Sequence, residues 1–144
     1  MTFEETVVPA VRGGVLVRCS VRFAAGDTCI VEVKVDGGLE VRGDGPDLFE
    51  ALAAARRKLE PHGVLLGCNG ARRDVYPSAM LRQADMARHA YVLTMPRTAS
   101  RPETVDIFAA APESSVLATV GEQREWFDRW MKGRPETAGQ HERA

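Results

Sequence analysis

From Val15 the chain alternates. Val15, Val17, Cys19, Val21 and Phe23 take one side while Leu16, Arg18, Ser20 and Arg22 take the other, the period-two pattern of a half-buried strand. After Ala24-Ala25-Gly26-Asp27-Thr28, a second alternation puts Cys29, Val31, Val33 and Val35 inward and Ile30, Glu32 and Lys34 outward, which predicts a hairpin. Keeping both apolar faces on one side pairs Phe23 with Cys29 and Cys19 with Val33. The thiols of Cys19 and Cys29 then stand roughly 13 Å apart along the strands, too far for a disulfide. Asp36-Gly37-Gly38 turns the chain into a third short strand, Leu39-Glu40-Val41-Arg42. The outer face of this sheet carries Arg18, Arg22, Glu32, Lys34, Glu40 and Arg42 and is expected to be wet and charged.

The period then changes. Asp47 stands as an N-cap with Glu50 three residues on, and Leu48, Leu52, Ala55 and Leu59 follow at helical spacing, a stripe that covers the hairpin's apolar face. Arg56, Arg57 and Lys58 fall in the last turn, where cations oppose the negative end of the helix dipole; they are expected to be solvated, with a ligand patch as the alternative. Pro61-His62-Gly63 stops this helix, and Val64-Leu65-Leu66-Gly67-Cys68 is an unbroken apolar run of the kind that makes a central strand. Pro77-Ser78 predicts a short helix over Ala79 to Ala87. Strands are expected at Ala90 to Met95 and Thr104 to Phe108, separated by a polar loop between Pro96 and Pro102. Thr119 with Glu122 forms a capping box for a terminal amphipathic helix containing Val120, Trp126, Phe127, Trp130 and Met131, ended by Gly133. Residues 134–144 hold no periodic apolar positions and read as a disordered tail. The expected fold is a single α+β domain over residues 1–133, a mainly antiparallel sheet with two main helices packed on one face.

Composition narrows the function classes. A chain of 144 residues forms a core without metal or disulfide staples. Its 19 basic and 20 acidic residues nearly cancel, which gives no general attraction to nucleic acid or anionic membrane. The acidic start Met1-Thr2-Phe3-Glu4-Glu5 lacks a secretory signal pattern, and no apolar run approaches the roughly 20 residues that span a bilayer. Three cysteines, an odd number, suit a reducing compartment, so a cytoplasmic protein is expected; the alanine- and arginine-rich usage suggests a high-GC bacterium. The cysteines and histidines show none of the close pairings that mark zinc ligands, and no cofactor motif is present.

The candidate chemistry lies in one loop. Asn69-Gly70 follows the central strand, and a glycine there can present backbone N–H groups to an anion, with Arg72 and Arg73 beside it to grip a carboxylate or phosphate. Asp74, Tyr76 and Ser78 complete a set of binding candidates, since tyrosine and arginine dominate binding hot spots. Asn69-Gly70 is equally a plain turn, and Tyr76 and Asp74 equally serve to pack the loop and neutralise an arginine. Cys68, with His62 or Asp74 as base, is the alternative catalytic set, because a thiolate needs a base or a positive field at neutral pH. His89 precedes a strand and reads as a surface residue.

The stretch from Leu66 through Tyr91, above all Cys68-Asn69-Gly70-Ala71-Arg72-Arg73-Asp74-Val75-Tyr76-Pro77-Ser78-Ala79-Met80, resembles a motif of short uncharacterised bacterial proteins, some of which are similar to immunity proteins of toxin systems. The resemblance implies a non-catalytic binding protein of immunity or accessory type, taking a protein partner or small anionic ligand on the 69–80 loop. A small enzyme with Cys68 as nucleophile and an arginine anion clamp is the alternative. The third reading is a homodimer joined through a sheet edge or the terminal helix.

Overall fold

The sheet begins one strand earlier than the alternation indicates. In the computed structural model, which describes residues 1–97 and 102–133, strand β1 (Glu4–Arg12) runs antiparallel along the whole of β2 (Val15–Ala24). Gly13 and Gly14, at φ of 57° and 79°, make the two-residue turn between them, a conformation that suits glycine. Pro9 breaks the apparent pattern of β1 without breaking the strand. Its carbonyl accepts from Gly67 N at 2.7 Å, just beyond the pairing of Ala10 to Arg12 with β5 (Val64–Leu66), so its missing N–H falls where no ladder bond is needed.

Strands β3 (Cys29–Val35) and β4 (Leu39–Gly45) extend the sheet to the order β4-β3-β2-β1-β5. The faces agree with the sequence pattern, but the register moves by two: Phe23 pairs with Val31 and Cys19 with Val35. All three cysteines are free and buried. Helix α1 (Leu48–Leu59), capped by Asp47 Oδ1 accepting from Glu50 N at 2.8 Å, lies across the inner face. It sits so close to β4 that a Cβ on Gly43 would collide with the backbone at Ala51 and Ala55. Glycine at this position is therefore a packing requirement.

Past a short 3-10 turn (Glu60–His62), β5 stands at an edge of the five-stranded sheet, not at its centre as its apolar run suggests, and leads to the second half of the domain. A three-stranded sheet joins β6 (Val75–Tyr76), β7 (His89–Val92) and β8 (Thr104–Asp106), all antiparallel, in the order β6-β7-β8. Helix α2 (Ala79–Asp85) bridges β6 and β7, capped as expected by Ser78 through its hydroxyl and Leu81 N at 3.1 Å. Helix α3 (Val120–Lys132) opens with the full Thr119 and Glu122 capping box. The two sheets share one core: Phe23 of β2 stacks on Phe108, just past β8, with ring centroids 3.7 Å apart. The architecture is α+β and mainly antiparallel. The tail over 134–144 and residues 98–101 of the loop between Pro96 and Pro102 lie outside the described residues.

One expectation about α1 needs correction. Arg57 and Lys58 are exposed, but Arg56 is only 3% exposed and points into the protein. It lies four positions after Leu52 and three before Leu59, on the buried stripe itself, and geometry overrides the preference of its charge for water.

Candidate functional site

Strand β5 delivers Gly67 and Cys68 to a second 3-10 turn, Asn69–Ala71, which is buried throughout. Asn69 N donates to Ala109 O at 2.8 Å and Gly70 N to Ile107 O at 2.9 Å, so these amides are spent inside the protein. Gly70 is pressed between Leu52 and Ile107; a Cβ there would come within 2.5 Å of Leu52 Cδ2. Its glycine identity is thus explained by close packing, and its carbonyl is the hub of what surrounds it.

That carbonyl accepts from Arg56 Nη1 at 3.1 Å and from Gln123 Nε2 at 2.9 Å. Arg56 also donates to Gln123 Oε1 at 2.6 Å and to Ala118 O at 2.9 Å, while Gln123 Nε2 faces Arg72 O at 2.7 Å and Val75 O at 3.0 Å. Three carbonyls share the two protons of one amide nitrogen. Two side chains, from α1 and α3, thereby hold the backbone of the whole 70–75 segment. Burial lowers the pKa of the Arg56 guanidinium to about 10, and among the described residues no carboxylate is bonded to it. The sequence singled out neither residue as a site element. Both are polar positions on apolar helical stripes, Gln123 lying between Val120 and Phe127, and that misplacement was the available signal.

The predicted binding residues are brought together, but mostly turned toward one another. Arg72 grips Asp74 with two bonds of 3.0 Å, Nε to Oδ1 and Nη2 to Oδ2, and its Nη1 reaches Asn69 Oδ1 at 3.3 Å. Asn69 Nδ2 donates to Asp106 O. The Tyr76 ring stacks on Phe127 at 3.9 Å and meets Phe49 edge-on at 5.1 Å. Ser78 is the cap of α2. Arg73 alone of the set is exposed.

The alternative catalytic residues are not assembled. Cys68 is 1% exposed, and burial pushes its thiol up to about 11, with Arg56 pulling it only part of the way back. His62 lies exposed ahead of β5 while Cys68 follows it, and the carboxylate of Asp74 is held by Arg72. His89 pairs with Asp85 at 2.7 Å on the surface. Among the described residues no cluster of His, Cys, Asp or Glu is placed to hold a metal, and no helix is long and apolar enough to cross a membrane.

The outer face of the five-stranded sheet is a different surface. Register places Glu5, Arg22, Glu32 and Arg42 in one row across β1 to β4, alternating in sign. Arg22 Nη1 lies 2.9 Å from Glu32 Oε1, Arg42 approaches the other oxygen at 4.0 Å, and Lys34 stands 3.7 Å from Glu40 on the next row. These side chains, with Ser20, enclose a trough of about 820 Å³. Compared with known proteins, the chain matches no family model and no curated protein sequence.

Proposed function

We propose that this chain is a non-catalytic binding protein of immunity or accessory type, and that it takes a protein partner on the trough of its outer sheet face. The observation that carries the reading is the contrast between the two surfaces. In the 69–80 loop the polar groups of Asn69, Arg72, Asp74 and Ser78 are bonded internally, whereas the trough presents cations and anions to solvent. Its ion pairs are part-exposed and worth little to folding, so a partner can recruit them at small cost. Equal numbers of arginine or lysine and glutamate, three of each, fit a mixed-charge protein surface better than a lone anion. The thiol-enzyme reading draws no support from a buried Cys68 whose thiol is held protonated at neutral pH.

The test is co-purification from the source cells using three forms of the protein. A partner retained by the native chain and by Arg73→Glu, but lost when Arg22, Lys34 and Arg42 are all replaced by glutamate, supports the trough. Loss with Arg73→Glu and retention by the triple variant would return the interface to the loop.

A further inference from the structure

Between α1 and α3 lies a small cleft, about 80 Å³, bordered by Gln123 and distinct from the outer trough. Phe49 and Ala53 of α1 form its apolar side and the Tyr76 phenol part of its floor; Arg57 and Arg124 line it from the two helices. Arg57 is exposed and enters no ion pair or side-chain hydrogen bond among the described residues. Arg124 Nη1 donates to Tyr76 Oη at 3.2 Å, so the phenol oxygen is an acceptor in that bond and keeps its own proton for another group. Stacking on Phe127 and the edge of Phe49 fix the ring, so the hydroxyl is held in place in advance. Glu50 also lines the cleft, but its Oε2 is taken by Arg82 Nη1 at 3.0 Å; Arg124 Nε donates to Asp128 Oδ1 at 3.1 Å, which leaves Arg57 as the lining guanidinium without an anionic partner among the described residues.

We infer that this cleft binds a carboxylate, gripped by Arg57 and Arg124 and receiving a hydrogen bond from Tyr76 Oη. A guanidinium fork matches the two oxygens of a carboxylate, and the apolar wall of Phe49 and Ala53 suits the carbon that bears them. The volume holds a group of acetate size. The same chemistry is offered by a free small acid and by the tip of an acidic side chain in a polypeptide. The site is separate from the outer trough and stands independently of it.

The experiment is a titration of the full chain followed by 15N NMR of the arginine Nε–Hε signals, with sodium acetate against sodium chloride at equal ionic strength. A second arm uses a blocked tripeptide with one central glutamate. Saturable shifts at Arg57 and Arg124 with acetate and none with chloride are expected. Arg57→Gln, Arg124→Gln and Tyr76→Phe should each weaken binding about threefold to tenfold with the native melting profile kept. Tighter binding of the tripeptide than of acetate would identify an acidic side chain as the source, and the reverse a free acid. Linear shifts shared with chloride, or unchanged affinity in both arginine variants, would overturn the site.

Discussion

Arg56 Nη1 stands 2.6 Å from Gln123 Oε1, across 67 positions of sequence, and every other bond the guanidinium makes goes to a backbone carbonyl. A buried charge held in this way is expensive to disturb, because each partner left alone is a desolvated polar group. Arg56→Met is therefore expected to cost roughly 3 kcal/mol in urea denaturation. Arg57→Met, one residue on and exposed, should cost almost nothing. Gln123→Glu should also destabilise, since it turns an amide facing three carbonyls into a carboxylate. A loss below about 1 kcal/mol for Arg56→Met would mean that the clamp contributes little.

The buried thiols give an alkaline signature. Burial raises both Cys19 and Cys68 from 9.0 to about 11, so between pH 9 and 10 the unfolded chain sheds protons that the folded chain keeps. Stability falls with pH wherever the folded state binds more protons. The expected loss across that interval is roughly 1 kcal/mol per thiol, measured by denaturation under reducing conditions. Cys68→Ala should remove about half the slope. A flat profile between these pH values would show that the thiols ionise without unfolding. All three cysteines should likewise react slowly with iodoacetamide until denaturant is added.

The adjacent arginines of the loop should part company. Arg72 is fixed by two bonds to Asp74 with its side chain 12% exposed, whereas Arg73 points to solvent. Arg72→Ala is expected to lower stability by about 2 kcal/mol, and Arg73→Ala by less than about 0.5 kcal/mol. Thermal and chemical denaturation of the two single variants decides it, and the opposite ranking would contradict the bonding described.

Gly43→Ala tests the fit of α1 on β4. A methyl group there meets helix backbone, which cannot rotate away as a side chain can. A loss of roughly 3 kcal/mol is expected from overpacking. Gly121→Ala, where nothing lies within contact range, is the control and should be neutral or slightly stabilising because alanine favours a helix.

The sequence pattern located what obeys a period. The β2 and β3 alternation, the stripe of α1 and the three helix caps appear where their spacing puts them. Strand β1 escaped because Val7 and Val8 are adjacent and Pro9 follows, masking an inward set of Thr6, Val8 and Ala10. The register of Cys19 was misplaced by two because the connection from Ala24 to Cys29 does not fix how far each strand runs before turning. At the loop, turn formers and charges looked like a free surface; Arg72 and Asp74 pair with each other, within reach of sequence reading, but the partners of the loop backbone come from Arg56, Ile107 and Gln123, whose nearness only the folded chain supplies.

The clamp on Gly70 also orders events during synthesis. Gln123 emerges from the ribosome 67 positions after Arg56, an interval of roughly 3 to 13 s at ordinary rates of translation. Through that time the hairpins and α1 can already pack, since their contacts lie within the first half of the chain. Gly70 O can already accept from Arg56 in that time, but the carbonyls of Arg72 and Val75 still lack the Gln123 amide. The segment they belong to is left soft in the nascent protein and hardens only when α3 arrives.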